Sequence, residues 1–308
     1  MEDYPGAGIS KSDHPNLGST IPQPTIVRSH SSRYPWVVIA GNGYYSPNGK
    51  AVLLIIDLAT GAIIREIDTG AGSNTGENPA GLVSNNGLST PFVMDYDRDL
   101  TAEYVYAGDL AGNLWKFDLT DSDESRWKVA YSANSNPAPL FVACANHTST
   151  GLSCSGPNRQ AIFAKPQVAP APAAIGGVLV FIGTGKYFED VDQVIPTSPQ
   201  MQTFYGIWDR NGLTSDDQVN QASLVQQTID EEVTANGLPV RVTSTNAVDY
   251  SSKNGWYMDL ALKGTAAKGE RVTANPLYHD GRITFTSRFT QPAGDPAETL
   301  VFHHDPST

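Results

Sequence analysis

Three aspartates alternate along one polar stretch of the sequence, Asp95, Asp97 and Asp99, and Thr101 and Glu103 continue the same spacing. These five residues match positions 1, 3, 5, 7 and 9 of an EF-hand calcium loop, in which alternate residues direct their oxygens to one point. Ca²⁺ takes six to eight oxygen ligands at about 2.3–2.6 Å. The spacing therefore predicts a Ca²⁺ site formed by all five residues, with Thr101 contributing its backbone carbonyl.

The same stretch departs from an EF-hand in two places. Leu100 stands where that loop has its invariant glycine, and Tyr106 stands where it has a bidentate glutamate. The ligands also fall between two predicted strands, residues 91–94 and 104–107, rather than between helices. We therefore predict a calcium-binding β-hairpin, and the alternative is a solvated acidic turn.

Four segments of the chain share one order of strands, and the predicted hairpin lies in the second of them. Each has an X-Pro pair, a short strand and two apolar strands. In the first three segments the first apolar strand ends in Gly and the second in Asp, and in the fourth the second ends in His. The repeats cover approximately residues 20–72, 86–135, 159–250 and 255–306. Three to four strands per repeat, in repeats of which three span about 50 residues, are typical of β-propeller blades.

We therefore predict an all-β fold, with residues 1–308 as a single β-propeller domain or part of one, about four blades of which are visible. A β-sandwich is the alternative. Residues 224–229 and 239–243 are expected to add an outer strand pair to the third repeat, and residues 216–227 to form a short helix or a polar insertion. The Gly that follows each middle strand (Gly41, Gly108 and Gly183) is expected to let the backbone turn.

Composition narrows the classes of function. The net charge is −12 and the sequence has no basic stripe, which argues against a nucleic-acid partner. No apolar run approaches the ~20 residues of a transmembrane helix. The polar start of the sequence does not resemble a signal peptide, so the chain is expected to be either cytoplasmic or a fragment of a longer exported protein.

Cys144 and Cys154 lie in one polar loop and are expected to form a local disulfide, which needs an oxidising compartment; two free thiols are the alternative. Two near-matches to catalytic motifs, at residues 151–155 and 183–186, lack the spacing and the helix that a nucleophile elbow or a phosphate loop requires. We therefore predict that the protein is not an enzyme.

The order of these features resembles the C-terminal propeller of the PilY1/PilC family of type IV pilus biogenesis and adhesion factors. Besides the acidic loop, the resemblance rests on NGLSTP at 86–91, YAGDLAGNLWKFD at 106–118, GTGKYF at 183–188 and FYGIWD at 204–209, together with residues 21–28, 41–44, 56–61, 164–168 and 269–272.

The resemblance implies a modified, quinoprotein-like propeller at the bacterial cell surface or pilus tip, in a protein whose leader peptide lies outside this fragment. It implies that Ca²⁺ governs pilus extension against retraction, twitching motility and attachment, with minor pilins and a host or surface receptor as partners. The family's calcium ligands fall on the same five residues, although the last is usually Asp in the family and is Glu103 here.

Two other functions remain open at this point. Repeats of quinone-dependent dehydrogenases also carry Asp-x-x-Thr-Gly, as residues 57–61 do, but those enzymes usually have a disulfide of adjacent cysteines, and Cys144 and Cys154 are not adjacent. The other possibility is a metal-free propeller scaffold for the assembly of outer-membrane proteins.

Overall fold

The computed structural model describes residues 14–19, 21–72, 85–235, 238–289 and 299–304. Within these residues the regular elements are twenty β-strands and five short 3-10 turns, with no α-helix, so the all-β prediction is confirmed. The 3-10 turns are Glu124–Arg126, Gly156–Asn158, Asp190–Gln193, Ser215–Asp217 and Gln221–Ser223. No helix in this part of the chain has the length and apolar character needed to span a membrane.

The first two sheets are antiparallel meanders. The first has the order β1-β2-β3-β4, formed by Thr25–Arg28, Trp36–Gly41, Lys50–Asp57 and Ile63–Gly72. The second contains β5 (Phe92–Met94), β6 (Tyr104–Gly108), β7 (Asn113–Asp118) and β8 (Lys128–Val129). A separate hairpin, β9 (Tyr131–Ala133) and β10 (Asn136–Ala138), follows, and β11 (Phe141–Val142) returns to pair with β7.

The third sheet has six strands in the order β12-β13-β14-β17-β15-β16. They are Gln167–Pro170, Val178–Gly183, Thr203–Asp209, Gly255–Leu262, Val225–Ala235 and Leu238–Thr243. The fourth sheet contains β18 (Leu277–His279), β19 (Arg282–Arg288) and β20 (Thr299–His304).

These sheets shift the predicted repeat boundaries. Strand β17, which the sequence placed in the fourth repeat (255–306), pairs with β14 of the third sheet. Strands β15 and β16 lie between β14 and β17 in the chain, and β15 pairs with the other edge of β17. That inserted pair is the outer strand pair expected for the third repeat, and the short helix expected at 216–227 is replaced by two 3-10 turns and the start of β15. The second sheet also runs past its predicted end at residue 135, because β11 joins it. Residues 290–298, 305 and 306 of the predicted fourth repeat, and residue 20 of the first, lie outside the described residues.

Three apolar clusters lie between consecutive sheets. The first joins Ile39 and Leu53 of the first sheet to Trp115 and Phe117 of the second. The second lies between the second and third sheets, and the third between the third and fourth. Strands β6 and β13 are buried at every position because they contact a cluster on each face, which explains their continuous apolar sequences.

The glycines that end the middle strands have a different role from the one expected. Gly41, Gly108 and Gly183 do not adopt a positive φ angle. Instead, the segment that leads into the following sheet crosses each of them closely: a β-carbon at Gly108 would lie 2.2 Å from Ile162 Cγ2, and one at Gly183 would lie 2.3 Å from Val272 Cγ1. Glycine is therefore needed for close approach between sheets rather than for a turn.

Candidate metal centre on the second sheet

The predicted acidic loop joins β5 to β6, as the sequence indicated. The two strands pair antiparallel from Phe92 opposite Tyr106 to Met94 opposite Tyr104, and the Glu103 amide donates to the Met94 carbonyl. A rigid two-strand base therefore holds both ends of the loop.

The loop brings four carboxylates together. Asp95, Asp97, Asp99 and Glu103 each offer one oxygen, and these oxygens lie within 4.8 Å of one another. Asp97 and Asp99 are exposed, Asp95 is partly buried and Glu103 is buried. Unpaired carboxylates at this separation repel one another, and a cation among them removes that repulsion.

Backbone amides wind the loop around these side chains. The amides of Asp99, Leu100 and Thr101 donate to the carboxylates of Asp97, Asp95 and Asp99, at 3.1, 2.9 and 2.7 Å. Each bond joins a carboxylate to an amide a few residues further along the chain, which is the local pairing that Asp favours in turns.

Two non-glycine residues of the loop take left-handed backbone conformations. Leu100 has φ of 71° and Arg98 has φ of 68°. Leu100 occupies the position at which an EF-hand has glycine, so the loop makes the same sharp turn without the residue that makes it easily. The Arg98 side chain is exposed.

Asp95 carries the clearest sign of a missing partner. Its Oδ1 is buried and accepts no hydrogen bond from the described residues. A buried carboxylate oxygen without a partner is costly, and a metal ion is one way to satisfy it. A cluster of carboxylate oxygens is a donor set that suits a hard cation such as Ca²⁺, so these four residues fit the predicted ion.

Glu103 is oriented by a residue that sequence reasoning missed. Its Oε1 lies 2.9 Å from His30 Nε2, and its Oε2 accepts a hydrogen bond from the Tyr96 amide at 2.5 Å. His30 lies on the loop between β1 and β2, 73 residues away, and no motif in the sequence marks it. Close to this contact, the Ala102 amide donates to the Arg28 carbonyl, so the first sheet contacts the loop twice.

The other candidate features prove to be structural. Cys144 and Cys154 form the expected disulfide, with their Cα atoms 6.0 Å apart. Lys186, the lysine of the near-match to a phosphate loop, is buried and paired with Glu189 and Asp192. Its charge is already neutralised within the protein, which argues against a phosphate site at this segment.

Comparison with known proteins places the chain among pilus proteins. Residues 5–240 match the model of the PilY1 beta-propeller domain. The type IV pilus biogenesis factor PilY1 homolog of Xylella fastidiosa is 38% identical over 274 residues, which cover 88% of this chain and 17% of that protein. The type IV pilus biogenesis factor PilY1 of Pseudomonas aeruginosa strain PAO1 is 35% identical over 323 residues, covering 97% of this chain and 26% of that protein.

A solved structure gives the same assignment. The crystal structure of the Pseudomonas aeruginosa PilY1 C-terminal domain superposes with a TM-score of 0.79 at 32% identity, covering 97% of this chain and 61% of that one. The β-propeller prediction is therefore confirmed. The chain spans about a quarter or less of the length of the curated relatives named above.

Proposed function

Since this chain belongs to the PilY1 family, whose named members are type IV pilus biogenesis factors, we propose that it is the calcium-binding propeller of a pilus-associated protein. The whole protein would control extension and retraction of the type IV pilus, and with them twitching motility and adhesion to surfaces and host cells. It would act at the bacterial cell surface or pilus tip, with minor pilins and a host or surface receptor as partners.

The proposal of calcium binding is supported above all by the buried, unpartnered Oδ1 of Asp95, which is one of four carboxylates that the loop brings together. Asp95, Asp97, Asp99 and Glu103 would hold the ion through side-chain oxygens, and Thr101 through its carbonyl. When bound, Ca²⁺ supplies the positive charge that neutralises the cluster and fixes the loop.

The role we propose is structural rather than enzymatic. Two contacts hold the loop against the end of the first sheet: the Glu103 side chain contacts His30, and the Ala102 backbone amide donates to the Arg28 carbonyl. A loop that is ordered in this way presents one fixed face of the propeller to a partner, whereas repulsion among free carboxylates loosens that face.

Calorimetric titration of the chain with CaCl₂ tests the metal site. We expect one bound ion, and a loss of affinity of at least about tenfold in Asp97→Asn, because ligand charge sets the affinity of such loops. Asp280→Asn is the matched control, since Asp280 is a carboxylate with a side chain 86% exposed that lies outside the loop. No bound calcium, or equal affinity in Asp97→Asn and wild type, would contradict the proposal.

The function is then tested with the full-length protein in its own bacterium. We expect Asp97→Asn to change the number of surface pili and to reduce twitching, while the amount of protein stays constant. If calcium binds but pili and motility do not change, the metal site stands and the proposed control of the pilus fails. A melting temperature that calcium does not raise would favour the metal-free scaffold, and a change in visible absorbance on addition of pyrroloquinoline quinone would favour the enzyme.

A further inference from the structure

A cavity of about 680 Å³ opens on the side of the propeller opposite the acidic loop. In the third sheet, the turn between β12 and β13 occupies the position that the acidic loop has in the second sheet. This turn and the acidic loop border one groove, whose lining includes Asp95 and Gly177. The cavity instead lies beside residues 184–202, which join β13 to β14 at the other ends of the strands. It is thus separate from the proposed calcium site.

The loop that walls this cavity is an insertion in one sheet. The same connection takes residues 42–49 in the first sheet and 109–112 in the second, but residues 184–202 in the third: eight, four and nineteen residues. Connections longer than about 12–15 residues are uncommon in compact domains and are usually functional or disordered. The connection at 184–202 is held in a defined shape, so a functional role explains its length better than disorder does.

Buried charges hold the inserted loop in place. Lys186 Nζ is paired with Glu189 and lies 2.7 Å from Asp192 Oδ1, and Arg271 donates to the Lys186 and Asp192 carbonyls at 3.1 Å. The opposite wall follows the disulfide loop, and Gln200 ties the walls together by donating to the Pro157 and Arg159 carbonyls, both at 2.8 Å. The cavity is therefore preformed, as ligand sites usually are.

The lining favours an uncharged, aliphatic ligand. Val191 and Val194 face the cavity with 50% and 67% of their surface exposed, and Pro196, Pro199 and Met201 extend the apolar wall. The two cations near the cavity, Lys186 and Arg271, are balanced by Glu189 and Asp192. None of the described residues that line it is aromatic, so it lacks the stacking surface on which bases are usually bound.

One polar atom in the wall needs a donor. Gln202 donates through Nε2 to Gln200 Oε1 at 3.0 Å, which leaves Gln202 Oε1 buried with no partner among the described residues. Gln200 fixes this orientation, since its own Nε2 is already engaged by two carbonyls. A ligand whose N–H group reaches this atom from the cavity would satisfy it. An aliphatic wall with one free acceptor matches a peptide, which carries amide donors between its side chains.

We propose that this cavity binds an uncharged, aliphatic peptide segment of a partner protein, through the insertion at 184–202 and the wall beside the disulfide. The inference does not depend on calcium binding, because the two sites share no residue.

A display library of random twelve-residue peptides tests it, with selection on the whole chain and counter-selection on Val194→Asp. We expect enriched peptides rich in Val, Ala, Leu and Pro without net charge, and a loss of affinity of at least about tenfold in Val194→Asp when the best peptide is measured by calorimetry. The matched control is Val242→Asp, which alters a valine 45% exposed on β16. It should bind the peptide like wild type.

Each alternative outcome overturns the proposal. It fails if no peptide is enriched over the counter-selection, if the enriched peptides are charged or aromatic, or if Val194→Asp and Val242→Asp bind equally. Binding of a fluorescent acyl chain in place of any peptide would assign the cavity to lipid instead. Calcium affinity should be unchanged in Val194→Asp, so failure here is distinguishable from failure of the proposed calcium site.

Discussion

His30 Nε2 lies 2.9 Å from Glu103 Oε1, which connects the β1–β2 loop of the first sheet to the last predicted calcium ligand of the second. Glu103 is buried and its other oxygen accepts a hydrogen bond from the Tyr96 amide, so both oxygens are oriented before an ion binds. Replacing a partner that orients a metal ligand typically lowers metal affinity by about 10–100-fold.

We therefore expect His30→Ala to weaken calcium binding about tenfold, because Glu103 loses the group that orients it. Calorimetric titration measures the change. His279→Ala, which removes a histidine with a side chain 78% exposed, is the control and should bind calcium like wild type. Equal affinity in His30→Ala and wild type would show that the contact is not needed to position Glu103.

Leu100 offers a test of backbone strain in the loop. Its φ of 71° is a conformation that glycine adopts easily, and its side chain is 74% exposed, so little packing is lost by removing it. Relief of about 1 kcal/mol of strain in Leu100→Gly should tighten calcium binding about fivefold.

The comparison that isolates this effect is Leu100→Ala. Alanine removes the same exposed side chain beyond Cβ but keeps the steric penalty at positive φ, so its affinity should stay close to that of wild type. Should Leu100→Ala and Leu100→Gly tighten binding equally, side-chain removal rather than backbone strain would be the cause.

Substitution of a glycine that ends a middle strand should have a large steric effect. Gly108→Ala places a β-carbon against Ile162, and the overpacking should lower the free energy of unfolding by an amount at the upper end of about 1–3 kcal/mol. Urea denaturation followed by tryptophan fluorescence measures the loss. Gly151→Ala is the control, since no atom lies within 4 Å of its added β-carbon; a loss as large in Gly151→Ala would refute the packing explanation.

These residues also mark what sequence can reveal about this protein. Asp95, Asp97 and Asp99 were predictable because their convergence depends on one tight loop, whose geometry is set by neighbours in the chain. His30 was not, because its position beside Glu103 depends on how two sheets pack, and one sequence does not encode that packing in any local pattern. Gly108 was recognised as a required glycine but for the wrong reason, since Ile162, 54 residues further on, approaches it only in the folded protein.

The third sheet shows the same limit at the level of strands. The strands at residues 224–229 and 239–243 were predicted from the sequence and assigned to the correct sheet, where they correspond to β15 and β16. The pairing of β17 with β14 across the inserted strand pair was missed, because strand order depends on long-range contacts rather than on the pattern of any one strand.

Stability should fall in alkaline solution because two partly buried tyrosines lose their protons at higher pH in the folded chain than in the unfolded chain. Burial raises the pKa of both Tyr250 and Tyr257 from an ordinary value near 10 to about 12. Below pH 10 both phenols are protonated in the folded and unfolded chains, and their contribution to stability is complete. Between about pH 10 and pH 12 the unfolded chain loses these protons first, so the free energy of unfolding decreases as pH rises.

Urea denaturation across this range measures the decrease, and tyrosinate absorbance reports the ionisation. Tyr250→Phe should reduce the loss of stability above pH 10. It should leave stability at neutral pH nearly unchanged, because the Tyr250 hydroxyl has no hydrogen-bond partner among the described residues. An identical alkaline decrease in Tyr250→Phe would mean that other groups control it.

The ion pair between Lys116 and Asp209 joins the second and third sheets from inside the protein. Both side chains are fully buried, with Nζ 2.8 Å from Oδ2, and Asp209 also accepts hydrogen bonds from the Tyr106 and Tyr131 hydroxyls at 2.6 and 3.0 Å. Burial lowers the pKa of Lys116 even though Asp209 opposes that change. Asp209→Asn therefore leaves an ammonium group in the core without its counter-charge.

We expect Asp209→Asn to lower the free energy of unfolding by about 3–5 kcal/mol, measured by urea denaturation. Lys116→Met combined with Asp209→Asn should recover part of that loss, because no unpaired charge then remains buried. The control is Lys50→Met, which breaks a pair with Asp68 whose side chains are 41% and 39% exposed, and which should cost no more than about 1 kcal/mol. If Asp209→Asn costs no more than Lys50→Met, the buried pair does not stabilise the contact between these two sheets.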